Sequence, residues 1–256
     1  MPMLRPRKMI QYKSAREIEK MRKAGKIVAE VLDLLSENIR PGVTTLSLDR
    51  LAADYFRKRN ARSAFLGYQG FPAHICVSID SEVVHGIPRN RKLEEGQIVS
   101  LDVGAAIDGY YGDAARSYGV GEISDEAKKL LEITEQALHR GIEKCKVGKR
   151  LGDLSAAIQS FVEAEGFSVV RDLVGHGIGR KMHEDPQVPN YGEPDTGMEL
   201  NEGLVLAIEP MINAGGYEIR ILPDGWTIVT ADDSNSAHFE HTVAVTANGP
   251  QILTVR

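Results

Sequence analysis

The chain has little of what marks several large protein classes. Only two of its 256 residues are cysteine, Cys76 and Cys145. Two are too few for a disulfide framework, which points to a reducing, cytoplasmic setting. No apolar segment approaches the ~20 residues that a membrane span requires, and no charged, apolar and cleavage-site sequence of a secretion signal occurs. Positive charge is not in excess: the formal net charge is -5 and the isoelectric point is near 5.8, which gives no support to a nucleic-acid-binding role. One stretch runs against that balance. The first sixteen residues carry five basic side chains and no acidic one, and residues 1–13 read as a solvated basic arm ahead of a single domain over 14–256.

What remains is an ordinary globular composition, long enough to bury a sizeable core as one large domain or two fused halves. Its organisation points to the latter. Gly42, Leu48, Ala52 and Tyr55 recur 106 positions later as Gly148, Leu154, Ile158 and Phe161, each set lying in a glycine turn that leads into an amphipathic helix. Another helical pattern precedes each copy, one capped by Ser14 with Glu17 and the other by Ser124. Strand and hairpin patterns follow each copy. Two similar halves, about 14–120 and 121–256, each of two helices plus antiparallel strands, are therefore expected.

Against that frame five potential metal ligands stand out: Asp102, Asp113, His176, Glu209 and Glu240, carried in SLDVGA, YYGDAAR, GHGIG, AIEPM and FEHT. In QIVSLDVGAAI, strand alternation gives one face to Val99, Leu101 and Val103 and leaves Asp102 with Ser100 and Gly104 on the other. Asp108-Gly109 is a hairpin signal, and a two-residue turn there places Asp113 opposite Gly104, diagonal to Asp102 on the same face. Glu209 follows a buried-strand run and shares a face with Val205 and Ala207. Glu240 lies opposite the face of Phe239, Val243 and Val245. One such carboxylate is ordinarily a surface group or a cap. Four with an imidazole suit a pair of hard divalent cations better than a mononuclear iron triad.

Other motifs carry less. GHGIG matches neither a dinucleotide fingerprint nor a phosphate loop. His183-Glu184 lacks the second histidine of a zincin, and Pro186 opposes a continuing helix. His139 lies on a charged helix and is expected to be exposed. His74 and His238 have no motif support, and alternation turns His241 away from Glu240 toward a packed structural role.

In order and spacing, VVHGIP, SLDVGA, the Gly112-Asp113 pair, VGHGIGRKMHEDPQVPNY, AIEPM and FEHT resemble the type I methionine aminopeptidases. The resemblance runs from about Ser14 to Arg256. It implies an α+β fold, the pseudo-twofold "pita-bread" arrangement of an antiparallel sheet covered by helices, with 14–256 as one catalytic metallopeptidase domain. It also implies metal-dependent removal of N-terminal methionine when the second residue is small. Asp113 and Glu240 are then the bridging ligands, Asp102 completes one metal, and His176 and Glu209 complete the other. A metal-bridged hydroxide is the implied nucleophile, with Glu209 as proton shuttle. His183 meets the carbonyl oxygen, and His85 meets the scissile nitrogen or the intermediate. Tyr68, Phe71, Cys76, His85 and Trp226 line or border the methionine pocket, where aromatic and sulfur-bearing walls suit a polarisable thioether.

The implied cofactors are two divalent cations, drawn from Co, Mn, Fe or Zn, and a monovalent cation near Ser81, Val83 and Ser236. The implied partners are nascent polypeptide N-termini, with ribosome contact left open, no membrane, and a monomer. Two further features match the compact bacterial or organellar form: no Cys-rich extension precedes the catalytic region, and only thirty residues separate Glu209 from Glu240. Departures from the family pattern lie at Phe65, Val84 and Met182, around the pocket and not on the ligands. Two alternatives share the scaffold: a proline-specific aminopeptidase or dipeptidase, and a non-enzymatic binding module.

Overall fold

The computed structural model describes residues 10–256. Among the described residues four α-helices pack against the sheets: α1 (Ala15–Ser36), α2 (Thr45–Lys58), α3 (Asp125–Lys144) and α4 (Leu151–Ala164). The first is started by the expected capping box, in which Ser14 Oγ accepts from the Glu17 N–H and the Glu17 carboxylate accepts from the Ser14 N–H. Ser124 caps α3 through the Ala127 N–H. The sequence repeat is realised to the residue. The bounds of α2 moved by 106 positions are those of α4, and each helix follows a glycine of positive φ, Gly42 and Gly148. The turn ahead of each helix also makes a similar isolated bridge, Thr44 with Lys92 and Arg150 with Glu199.

Every strand pairing among the described residues is antiparallel. In the first half the long strand Ile98–Ile107 pairs with Arg62–Ser63, Cys76–Ile79 and Tyr110–Gly119. In the second half five strands lie in the order Gly249–Ile252, His241–Thr246, Val205–Ile208, Gly175–Gly177, Glu184–Val188. Each half has its own apolar core. One core gathers Val28, Leu32, Leu35, Leu48, Phe56, Leu101 and Val103 from α1, α2 and the first sheet. The other gathers Leu130, Leu138, Leu154, Ile158, Leu206 and Val243. Helix spacing of three and four residues on α1, as at Met21, Val28, Leu32 and Leu35, supplies the apolar stripe that covers the sheet.

The halves join along a polar seam between Tyr110–Gly119 and the chain around Glu240. The Glu240 N–H donates to Ala115 O (2.9 Å) and the Ala115 N–H to Glu240 O (3.4 Å). The Asp113 N–H donates to Thr242 Oγ1 (3.0 Å), whose hydroxyl donates back to Asp113 O (2.8 Å). Ser117 Oγ makes the same two-way exchange with the backbone of His238. The seam therefore fixes the two strands that carry Asp113 and Glu240 relative to one another. No helix among the described residues is long and apolar enough to cross a membrane.

One expectation is corrected. The solvated arm read over residues 1–13 does not reach Lys13, which is buried and ion-paired with Glu184 at 2.6 Å. Its ammonium is drawn inward because a carboxylate of the distant HED segment waits there. Gln11 and Tyr12 of that arm are exposed and Ile10 is half-buried, and residues 1–9 lie outside the described residues.

Close approach of α1 to the strand Tyr110–Gly119 depends on glycine at 112, where a Cβ would lie 2.7 Å from the Gly25 nitrogen and 3.0 Å from the Ala24 carbonyl carbon. Backbone cannot give way as a flexible side chain does. Gly112→Ala should therefore destabilise the protein by about 1–3 kcal/mol, the usual range for overpacking. Denaturant unfolding checks this, and an unchanged midpoint would contradict it.

Candidate metal centre

The hairpin that the sequence pattern calls for is present, with Gly104 opposite Asp113 and Asp102 opposite Ala115. The two aspartates consequently share one face on neighbouring strands. Cys76 lies directly across from Asp102 on the other neighbouring strand. His176 comes from the short strand Gly175–Gly177, Glu209 from the residue after Val205–Ile208, and Glu240 from the seam just before His241–Thr246. All five side chains line one cavity of about 200 Å³ together with Tyr68, Phe71, Cys76, His85, His183 and Trp226. The five candidate divalent-metal ligands and the residues expected to contact substrate are thus brought to a single cavity, while Ser81, Val83 and Ser236, expected near a monovalent cation, do not line it.

Ligand atoms of Asp113, His176 and Glu240 lie within 4.8 Å of one another. His176 Nε2 is 3.9 Å from Asp113 Oδ2 and 3.6 Å from Glu209 Oε1. His176 Nδ1 is 2.8 Å from the Gly177 carbonyl oxygen, an atom that can only accept. The ring proton therefore sits on Nδ1, which leaves the Nε2 lone pair facing the carboxylates as a metal ligand requires. Burial, with His183 close by, lowers the His176 pKa to about 3 and keeps the imidazole neutral.

The carboxylates are shifted the other way. Burial pushes Asp102 up to about 7. Asp113, Glu209 and Glu240 are raised well above the usual range, first by burial and then by one another's negative charge. Asp102 Oδ1, Asp113 Oδ1 and Glu240 Oε1 are buried without a hydrogen-bond partner. Buried acceptors without donors, converging with a neutral imidazole, fit divalent cations in place of protons.

The apolar wall is built from edge-to-face rings, Phe65 on Phe71 (6.4 Å between centroids) and Phe71 on Trp226 (5.2 Å). Cys76 completes it as a thiol. Its pKa is raised well above the normal value by burial and by the charges of Asp102 and Asp113, so it is no nucleophile. His183 stacks on Tyr68 (5.2 Å), its Nδ1 is 2.8 Å from the Tyr68 hydroxyl, and its ring centroid lies 4.2 Å from that of His176. His85 holds a positive φ of 60°, a strained conformation for a side chain with a Cβ, of the kind that clusters at functional sites.

The other histidines separate as follows. His139 is exposed. His241 is buried with Nδ1 2.8 Å from Thr254 Oγ1, and His74 pairs with Asp49 at 3.1 Å on α2, away from the cavity. His238 was passed over in the sequence. It is buried, and its Nε2 lies 4.0 Å from Glu209 Oε2 without a hydrogen bond. The available signal was its position two residues before Glu240, on the same face of an extended segment. Gln69, also at the cavity, has a positive φ of 48° and carries no pattern that would have found it.

A family model described as metallopeptidase family M24 matches residues 19–247. The chain belongs to metallopeptidase family M24. Its fold is the pita-bread fold of that family. Among its M24 relatives, a methionine aminopeptidase of Clostridium perfringens is 56 % identical over 247 residues, covering 96 % of this chain and 99 % of that one. Methionine aminopeptidase 1 of Bacillus subtilis is 52 % identical over 246 residues, with 96 % and 99 % coverage. The crystal structure of a methionine aminopeptidase from Thermotoga maritima superposes with a TM-score of 0.95 at 50 % identity, covering 97 % of this M24 chain and 100 % of that one. The prolidase of Pyrococcus furiosus, at 23 % identity and a TM-score of 0.76, shares the fold alone, and this chain covers 65 % of its length.

With folded-state pKa values above the unfolded ones, the cation-free protein binds more protons than the unfolded chain. The stability held in these carboxylates is therefore fully present only below their unfolded pKa, about 4. It falls as pH rises toward about 7, the value for Asp102. In chelator, the unfolding temperature should drop between pH 5.5 and 8. Mn at ~100 times its Kd should restore about 2.7 kcal/mol. A chelated protein that becomes more stable across that window, with no response to Mn, would contradict the assignment.

Proposed function

We propose that the chain is a methionine aminopeptidase: it removes the N-terminal methionine of nascent proteins and peptides whose second residue is small. The observation that carries this reading is the junction, in one cavity, of a carboxylate-rich cluster with an aromatic and thiol-bearing wall of Phe71, Cys76 and Trp226.

Asp102, Asp113, His176, Glu209 and Glu240 would hold the divalent cations. When bound, such cations polarise a carbonyl and lower the pKa of solvent toward neutrality. The remaining steps belong to side chains. Phe71, Cys76 and Trp226 hold the methionine thioether, and Tyr68 lines the same cavity. Glu209 takes the proton from the attacking water and carries it to the departing amine. His183 Nδ1 lies 2.8 Å from the Tyr68 hydroxyl; in the proposed mechanism that hydroxyl donates to Nδ1, and the ring proton on Nε2 meets the carbonyl oxygen as charge develops. His85 contacts the scissile nitrogen. Cobalt, manganese, iron and zinc are all compatible with this donor set. A monovalent cation belongs to the same reading near Ser81, Val83 and Ser236, where the strands Glu82–Val84 and Ser236–His238 pack together.

Metal-stripped protein given Mn or Co should release free methionine from Met-Ala-Ser and not from Met-Lys-Ser. Release from neither, with ions bound, would overturn the reading. His183→Ala should lower kcat by about 100-fold or more, the scale of removing one donor to a developing oxyanion, while the ion content stays unchanged. Loss of the ions from that variant would instead make His183 part of the metal centre.

A further inference from the structure

The segment between His176 and Glu184 leaves the sheet and returns to it. Gly177 pairs with Glu184 after an irregular register at His176 and Gly177, so residues 178–183 form a loop with His176 at one foot and His183 at the other. Few of its hydrogen bonds are internal. Ile178 N–H donates to Val205 O (3.1 Å), Gly179 N–H to Lys181 O (3.1 Å), and Gly179 O accepts from the Tyr111 N–H (2.9 Å). The foot that carries His183 is held by the neighbouring carboxylate. Glu184 Oε1 accepts from the N–H groups of Arg180 (2.8 Å) and Lys181 (3.1 Å), and Glu184 Oε2 meets Lys13 Nζ at 2.6 Å.

Lys13 is held as firmly. Its N–H donates to Gly203 O (2.7 Å) and its ammonium also donates to Gln11 O (2.8 Å). The side chains of the pair are 4 % and 5 % exposed, so removing either partner leaves a buried charge alone. The loop is shaped around them: a Cβ at Gly179 would collide with Lys13 Cε and lie 2.8 Å and 3.0 Å from the Glu184 carboxylate oxygens. A second pair from the same end of the chain, Glu17 with Arg180 at 3.2 Å, steadies the loop's exposed side.

We propose that Lys13 and Glu184 are positioning residues, a brace from the segment ahead of α1 that sets where His183 stands over the metal centre. The inference rests on the reading of His183 as the group that meets the substrate carbonyl. Neither Lys13 nor Glu184 lines the cavity that holds the carboxylates; Glu184 instead borders the cavity on the other side of His176 and His183, so the pair acts on the carboxylate cavity through His183. The geometry gives it leverage: Glu184 follows His183 directly, and its carboxylate gathers the two backbone N–H groups of the loop's crown. A displacement of about 1 Å at a group that contacts the reacting atoms costs up to about 100-fold in rate.

A double-mutant cycle on the full-length protein loaded with Mn tests this. Lys13→Met, His183→Ala and the combination are compared for kcat and KM on Met-Ala-Ser, for Mn affinity by calorimetry and for fold by circular dichroism. Lys13→Met should lower kcat about 10- to 100-fold with KM and Mn affinity little changed. In the His183→Ala background the same substitution should cost less than about twofold, since the group it positions is gone. Equal losses in both backgrounds, an unchanged kcat, or lost Mn binding would overturn the proposal. If Lys13→Met does not fold, Lys13→Arg, whose larger head lacks room beside Gly179, runs the same cycle with the same expected collapse. An intact kcat in His183→Ala would sink the reading of His183 itself. A lowered kcat there with none in Lys13→Met sinks the brace alone.

Discussion

Four carboxylates crowded into one cavity set the terms for the rest of this molecule. Lost solvation raises the pKa of Asp102, Asp113, Glu209 and Glu240, and neighbouring negative charge adds to it at the last three. A fold can hold such a group only if something compensates it. Protons suffice in the cation-free protein, and divalent cations do so at neutral pH. His176, fixed in its tautomer by the Gly177 carbonyl, adds a neutral ligand where a fifth charge would worsen the balance.

The two-half architecture is a means of reaching that density. Within one twisted sheet, alternation brings two carboxylates onto one face, as with Asp102 and Asp113. Bringing Glu240 beside them takes a second sheet butted against the first. The seam does this with paired backbone bonds between Ala115 and Glu240 and with hydroxyl bridges at Thr242 and Ser117. These bonds satisfy polar backbone where the halves meet, and they bring Asp113 and Glu240, far apart in the chain, into one cluster that could hold a metal ion. The aromatic residues Tyr68, Phe71 and Trp226 line the same cavity as these carboxylates.

Much of this was legible in the sequence, for identifiable reasons. The register of the central hairpin followed from one Asp-Gly turn and strict alternation, which is why Asp113 could be placed against Gly104 in advance. The 106-residue repeat coincides with matching bounds of α2 and α4, each preceded by its own glycine turn. Family motifs located His85, His183 and the pocket wall, residues that periodicity alone does not distinguish from core. What escaped depended on long-range partners. Lys13 looked like one more charge of a basic arm because its partner lies 171 residues away. His238 looked unsupported because its neighbour, Glu209, comes from another strand. Gln69 owes its place to a turn of unusual backbone that no local pattern announces.

The most direct test of this account is the proton balance of metal binding. Metal-stripped protein is titrated with Mn by calorimetry near pH 7 in buffers of different ionisation enthalpy, which gives the protons released per ion bound. Carboxylates that hold protons in the cation-free state predict net release of about one proton or more as the ions take their place. Binding without release, or no binding at all, would mean that these side chains are not the ions' seat.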